Sequence, residues 1–145
     1  MVNEHKTEIE LNLINDKVKF LGKSGENQDI TIDYIPPFGN GEGYTALELF
    51  LISFASCLST TLLALIKREL HKNVISLKVK GWGKRRTEHP KDFSNIYFIY
   101  HVVSNDLTES DFKDMLILAK TKYCPIWSII NEKVKTNVEF IIEKI

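Results

Sequence analysis

The feature that most constrains the fold is a run of uncharged residues, 49–66, rich in leucine, isoleucine, phenylalanine and alanine. A run of this length without glycine or proline predicts one long helix. Thr45 and Glu48 carry a capping-box signal just before it, so the helix should begin at Thr45 and end near Leu70. Because apolar residues occupy nearly every face, the helix needs cover on several sides. Such cover exists at the centre of a soluble core, or in a core shared between two subunits.

The competing interpretation of 49–66 is a membrane span, because its length reaches the lower limit for crossing a bilayer. Two observations oppose it: the run contains five hydroxyl residues, and the segments on either side alternate like half-buried strands. The hydroxyl residues are Ser53, Ser56, Ser59, Thr60 and Thr61. The first ten residues also lack the pattern of a secretory signal. We therefore expect a core helix, no membrane partner and a cytoplasmic location.

The rest of the chain predicts an α+β fold in a single domain, 1–145. Three segments with alternating apolar residues precede the long helix and predict an antiparallel meander, and a mobile loop rich in proline and glycine follows them. After the helix we expect a hairpin, two helices and a final strand. The predicted segments are the loop 35–44, hairpin strands 75–82 and 95–104, helices opening at Thr108 and Pro125, and the strand 136–145.

Charge and histidine placement exclude several classes of function. Nineteen basic residues balance nineteen acidic ones, so no overall field draws the protein to nucleic acid. The basic run 84–86 lies close to Glu88 and Asp92, which is typical of a solvated turn. The four histidines share no metal-ligand spacing with each other or with the cysteines. We expect neither a metal nor a nucleic-acid partner.

The chain has two cysteines, Cys57 inside the long helix and Cys124 directly before Pro125. A thiol at a helix start meets unpaired N–H groups, so the residues alone favour Cys124 as the more reactive thiolate. Taken alone, Cys57 is more often a small apolar side chain in a core, and Cys124 could be a simple capping residue. In a cytoplasmic protein, however, a cysteine pair is more often catalytic or redox-sensing than structural. The working hypothesis is a dithiol redox site.

Three segments resemble the OsmC/Ohr family, whose members are associated with osmotic induction and organic hydroperoxide resistance. TALELFLISFASC, 45–57, and KYCPIWSII, 122–130, are similar to the segments around the family's two cysteines. GKRRTEHPKDFSNIYFIYHV, 83–102, is similar to a hairpin of an uncharacterised branch. The resemblance implies an intertwined homodimer, with antiparallel sheets wrapped around two long central helices.

The resemblance also implies a cysteine-based peroxidase without a bound cofactor. Cys57 matches the cysteine that attacks an organic hydroperoxide, and Cys124 matches the one that resolves the product as an intrachain disulfide. An external dithiol, of lipoyl type in the better-known branch, then restores both thiols. This assignment reverses the order that the residues alone favour.

The chain departs from the hydroperoxide branch at the residues that support the first cysteine. It has no arginine before Arg68, and Leu47 stands at the usual acidic position. Glu48 is the nearest carboxylate and the third candidate catalytic residue, and Lys17 is the nearest candidate cation. The alternative is therefore a non-catalytic dimer that binds a small apolar or thiol-containing ligand. Its candidate lining residues are Phe38, Tyr44 and Trp127. A purely structural interaction module is the third possibility.

Overall fold

We describe the fold from a computed structural model, which describes residues 5–145. The predicted α+β class is confirmed. The elements are β1 Glu10–Leu13, β2 Phe20–Lys23, β3 Ile30–Ile32, α1 Ala46–Leu70, β4 Ser76–Arg85, β5 Phe93–Val103, α2 Glu109–Leu118, a π-helical turn Ala119–Tyr123, α3 Pro125–Ile129 and β6 Lys135–Glu143. The chain divides into two compact units, Met1–Phe50 and Leu51–Ile145, which we describe in turn. The single-domain expectation stays a prediction.

The first unit contains the expected antiparallel meander, in the order β1-β2-β3. Glu10 lies opposite Lys23, and Phe20 opposite Ile32. Several large apolar side chains in this sheet or next to it are exposed, among them Ile9, Leu11, Leu13 and Ile30. Exposed apolar patches of this size on a sheet are typical of interaction surfaces.

The loop after β3 is irregular, as predicted, but hydrogen bonds around the buried Asp33 organise it. Its carboxylate accepts backbone N–H groups from Tyr34, Asn40 and Glu42, at 2.7, 3.2 and 3.1 Å. Burial opposes ionisation of Asp33, but these N–H donors outweigh it and lower the pKa of the carboxyl group. The loop is thus built around an ionised side chain, a role that the sequence did not indicate.

Helix α1 has the predicted start and length. The Thr45 N–H donates to Glu48 Oε1 at 2.8 Å, and the Glu48 N–H donates to Thr45 Oγ1 at 3.2 Å, so the capping box is confirmed. In the second unit one stripe of the helix is buried, formed by Phe54, Leu58, Leu62, Leu65 and Ile66. By length and composition α1 could cross a bilayer, and 28% of its most apolar stretch of 18 residues is buried in this chain. One side of the helix is therefore buried, whereas the large apolar side chains of Ile52 and Leu63 are exposed.

The second sheet has the order β4-β5-β6 and places β5 in the middle. The expected hairpin of β4 and β5 is confirmed, whereas β6 pairs with β5 in parallel, which the sequence did not predict. Alternate residues of β5 are buried and form much of the core: Ile96, Phe98, Tyr100 and Val102. The basic run lies at the tip of the hairpin, where Arg86 donates to Asp92 Oδ1 at 2.8 Å.

Helix α2 begins at the predicted capping box. The Thr108 N–H donates to Asp111 Oδ2, and the Asp111 N–H donates to Thr108 Oγ1, at 2.9 and 3.1 Å. Its apolar face, with Phe112, Met115 and Leu116, is buried. The helix passes into a π turn before α3, and π turns of this kind occur frequently at functional sites.

Candidate active site

Cys57 lies in the middle of α1, beside its buried stripe, and is half-buried. The next turn fixes the helix locally, because Thr61 Oγ1 donates to the Cys57 carbonyl at 2.9 Å. Ser59 Oγ donates in the same way to the Ala55 carbonyl, at 2.6 Å. Hydroxyl side chains inside a helix bond to carbonyls four residues earlier and do not interrupt it. This explains how α1 tolerates them around the cysteine.

Cys124 is the N-cap residue of α3, with extended backbone at φ −81° and ψ 108°. Its N–H donates to the Ala119 carbonyl at 2.9 Å, which closes the π turn. Its Sγ accepts the Trp127 N–H at 3.5 Å, and Pro125 occupies the first helical position. The sulfur therefore takes the place that a serine or aspartate oxygen has in an ordinary cap.

The fold brings the two sulfurs together. The Cys124 thiol donates to Cys57 Sγ across 3.4 Å, and neither cysteine is in a disulfide. Phe54, one turn before Cys57, packs edge-on against Trp127 of α3, with ring centres 5.5 Å apart. This contact holds α3 against α1 at the level of the thiols. A disulfide needs a separation of about 2.05 Å, so a small movement would join them.

The environment of Cys124 differs from the one that its helix-start position predicts. The residue is only 3% exposed. Burial, the largest effect, raises the pKa of the Cys124 thiol, and the hydrogen bond to Cys57 raises it further, whereas the Trp127 N–H acts in the opposite direction. The expectation that Cys124 has the lowered pKa of a reactive thiolate is therefore wrong. α3 has five residues, and its N–H groups do not outweigh the loss of hydration.

A buried tyrosine lies behind the dithiol. Tyr100 OH and Ser59 Oγ are 3.1 Å apart, and because Ser59 donates to a carbonyl, Tyr100 is the donor of this bond. Burial raises the pKa of Tyr100 to about 12, and the nearby Cys124 adds to the rise. Tyr100 thus remains a neutral hydroxyl beside the site. Its alternating pattern on β5 predicted a strand but not its position next to a cysteine.

The other candidate residues lie in the first unit and are engaged there. The Glu48 carboxylate is bound in the capping box, and the Thr45 N–H lowers its pKa. Lys17 Nζ donates to Asn40 Oδ1 at 2.9 Å. Phe38 and Tyr44 are exposed side chains of the same unit. The catalytic contribution of Glu48 stays a prediction. Within residues 5–145, no three metal-ligating side chains form a group that could hold an ion.

The sequence is similar to one protein-family model and to a curated protein. The family model described as OsmC-like protein matches residues 39–139, which include both cysteines. Protein YhfA of Escherichia coli strain K12 is 24% identical over 117 residues, which are 79% of this chain and 83% of YhfA.

Solved structures show the same fold over nearly the whole chain. A protein from Aquifex aeolicus VF5 superposes with a TM-score of 0.83 and 25% identity, covering 98% of this chain and 99% of that one. The organic hydroperoxide resistance protein OhrB of Bacillus subtilis superposes with a TM-score of 0.64 and 16% identity, covering 94% and 98%. Since the family model spans more than half of the sequence, the chain belongs to the OsmC/Ohr family.

Proposed function

We propose that this protein reduces organic hydroperoxides with the Cys57/Cys124 pair and is restored by an external dithiol. The observation that carries the proposal is the 3.4 Å contact between the sulfurs, in which Cys124 donates to Cys57. A donor aimed at the Cys57 sulfur favours negative charge there. Cys57 is also the more accessible of the two thiols. Both features fit Cys57 as the nucleophile and Cys124 as the resolving thiol.

The proposed cycle has three steps. The Cys57 thiolate attacks the outer oxygen of the peroxide, the O–O bond breaks, and the released alkoxide takes a proton from solvent, leaving a sulfenic acid and an alcohol. The Cys124 sulfur then attacks the Cys57 sulfur, and the hydroxyl group leaves with the Cys124 proton as water. An external dithiol reduces this disulfide to two thiols and is itself oxidised to a disulfide.

The environment of Cys124 suits the second step. A protonated thiol 3.4 Å from Cys57 cannot compete for the peroxide, yet it is already positioned to react once Cys57 is oxidised. The buried hydroxyl of Tyr100 stays protonated at physiological pH and so adds no negative charge near the sulfurs. The hydroperoxide branch supports its first cysteine with an arginine, but this chain has no arginine before Arg68. The hydrogen bond from Cys124 therefore stabilises more of the negative charge on Cys57.

We also propose that the protein is a homodimer located in the cytoplasm. Exposed apolar side chains occur both on the first sheet, at Leu11 and Leu13, and on α1, at Ile52 and Leu63. Patches of this kind mark interaction surfaces in soluble proteins. Sedimentation at micromolar concentration should give twice the mass of one chain, and a single-chain mass would contradict the dimer.

The function is tested by hydroperoxide consumption with cumene hydroperoxide and dithiothreitol. The wild-type protein should reach a kcat/KM on the order of 10⁴ M⁻¹s⁻¹ or more. Cys57→Ser should abolish turnover, whereas Cys124→Ser should oxidise Cys57 without forming the intrachain disulfide and should turn over more slowly, by direct reduction of the sulfenic acid with dithiothreitol. Ser56→Ala changes the exposed neighbour of Cys57 and is the matched control.

Mass measurement after one equivalent of peroxide gives an independent readout. Wild-type protein should lose two hydrogen atoms within one chain, and Cys124→Ser should gain one oxygen atom on Cys57. Wild-type consumption no faster than that of Cys57→Ser would refute the enzyme and leave a ligand-binding role for the pair.

A further inference from the structure

The second sheet carries a stacked pair of aromatic side chains away from the cysteines. Trp82 of β4 and Tyr97 of β5 lie directly opposite each other in the antiparallel register. Their ring centres are 5.0 Å apart and their planes differ by 16°, so the rings stack. Trp82 is nevertheless 50% exposed. The pair therefore presents a flat aromatic surface to solvent.

This pair lies on the outer face of the sheet. Phe98, the next residue of β5, is buried and packs edge-on against Phe54 of α1, with ring centres 5.2 Å apart. Because successive side chains of a strand point to opposite faces, Tyr97 points away from α1. The apolar residues that we assign to the dimer lie on the first sheet and on α1, so the aromatic pair is not among them.

A row of lysines shares this outer face. Lys78, Lys80 and Lys84 are exposed and lie an even number of residues from Trp82 along β4. At about 3.3 Å per residue, the row from Lys78 to Lys84 is about 20 Å long. Neither β4 nor β5 contains an acidic residue, and within residues 5–145 no salt bridge involves these lysines. Exposed positive charge therefore borders the aromatic pair on β4.

The basic run at the hairpin tip contributes only one of these lysines. Arg85 Nε donates to the Lys91 carbonyl at 2.7 Å, and Arg86 Nη1 donates to Asp92 Oδ1 at 2.8 Å, so both guanidinium groups hold the turn. Lys84 instead pairs in register with Asn95 and points outward. The run thus divides between a structured turn and the charged row.

We propose that Trp82, Tyr97 and the lysines of β4 form a binding surface for single-stranded nucleic acid. Bases of any sequence stack on aromatic side chains, and neighbouring lysines bind the phosphates. Sheet faces that carry aromatic residues bind single-stranded RNA in this way. The balanced overall charge predicted no nucleic-acid partner, and the proposal replaces that expectation with binding through a local charge. It goes beyond the cysteine chemistry and does not depend on it.

Fluorescence polarisation tests the surface with labelled oligouridine, oligothymidine and a DNA duplex, each about 20 nucleotides long. Wild-type protein should bind at least one of the single strands about tenfold more tightly than the duplex, whose bases are already stacked on one another. The Kd for that strand should rise about tenfold in Trp82→Leu and no more than about twofold in Trp82→Phe, which keeps a ring. The single strand that binds more tightly identifies the preferred sugar.

The salt dependence of the affinity tests the lysines separately. Three phosphate contacts to a single strand predict a slope of about −2 when the logarithm of the association constant is plotted against that of the salt concentration. Lys80→Gln removes one contact and should bring the slope to about −1.4. Lys113→Gln is the matched control, because it removes the same charge from an exposed position of α2. It should leave both the slope and the Kd unchanged.

Several outcomes would overturn the proposal. They are no single-strand binding by micromolar protein at low salt, equal affinity for the duplex, wild-type binding by Trp82→Leu, or an equal loss in Lys113→Gln. Lys80→Gln keeps the aromatic pair, so it decides the question if circular dichroism shows that Trp82→Leu is not folded. Retention on phosphatidylserine vesicles without oligonucleotide binding would assign the surface to a membrane and refute the nucleic-acid partner.

Discussion

Oxidation of the two thiols should stabilise the fold by an amount that the chain length between them predicts. A disulfide between Cys57 and Cys124 closes a loop of 67 residues (124 minus 57). The loss of loop entropy from the unfolded chain then contributes about 4.4 kcal/mol. Against this, the Cys124 sulfur must leave its 3.5 Å contact with the Trp127 N–H, which costs about 1 kcal/mol as a lost helix cap. The net stabilisation should be about 3 kcal/mol.

Calorimetry of the reduced protein and of protein treated with one equivalent of hydroperoxide measures this difference. For a chain of 145 residues, about 3 kcal/mol corresponds to a rise of about 10 °C in Tm. Protein concentration must be equal in both samples, because association also raises Tm. Cys124→Ser should show no rise. If the oxidised protein contains the intrachain disulfide yet unfolds at or below the temperature of the reduced protein, the bond strains the fold, and the inference that folding pre-positions the sulfurs is wrong.

Three further predictions concern single side chains. Glu48→Gln keeps a capping box, so its turnover should stay within about twofold of the wild-type value. A larger loss of turnover at an unchanged unfolding free energy would show that the Glu48 carboxylate takes part in catalysis. Gly83→Ala should cost about 1–3 kcal/mol in chemical denaturation, because a Cβ there overlaps the Phe93 ring, and Phe93→Leu should recover part of the loss; full stability of Gly83→Ala would refute the overlap. Lys72, which donates to Asp111 at 2.5 Å, is the main cause that lowers the pKa of Asp111 to about 2. Because this folded-state pKa is below the ordinary 3.8, the ionised Asp111 stabilises the fold above pH 3.8, and this stabilisation is lost as the pH falls toward 2. The unfolding free energy of Asp111→Asn should therefore depend less on pH over that range than the unfolding free energy of the wild type. An equal pH dependence of the two proteins would contradict this contribution of Asp111.

Local signals in the sequence predicted the element starts because those starts depend on neighbouring residues. Thr45 with Glu48 and Thr108 with Asp111 each form a reciprocal pair of hydrogen bonds three residues apart. Such a pair needs no partner from elsewhere in the chain. For the same reason the sequence predicts the start of α3, because Pro125 occupies its first position.

Features set by distant contacts could not be predicted in this way. The parallel pairing of β6 with β5 depends on which edge of the hairpin remains free, and nothing in the alternation of β6 encodes it. A similar limit applies at shorter range to Asp33, because the N–H groups of Asn40 and Glu42 reach its carboxylate only after the loop has folded back. A local hydrogen-bonding signal can therefore be identified in the sequence, whereas an environment that folding assembles cannot.

The order of the two cysteines shows how such an assembled environment changes a chemical conclusion. In the sequence Cys124 lies at the predicted start of a helix, and an isolated helix start favours a thiolate. In the fold, the π turn carries Cys124 inward until its sulfur lies 3.4 Å from Cys57 and only 3% of the residue is exposed. Burial then raises its pKa, so the N–H of Trp127 holds a protonated thiol in place and the thiol donates to Cys57. The helix start therefore holds the donor thiol, and the sulfur in the middle of α1 accepts its hydrogen bond, which agrees with the roles proposed above for the two cysteines.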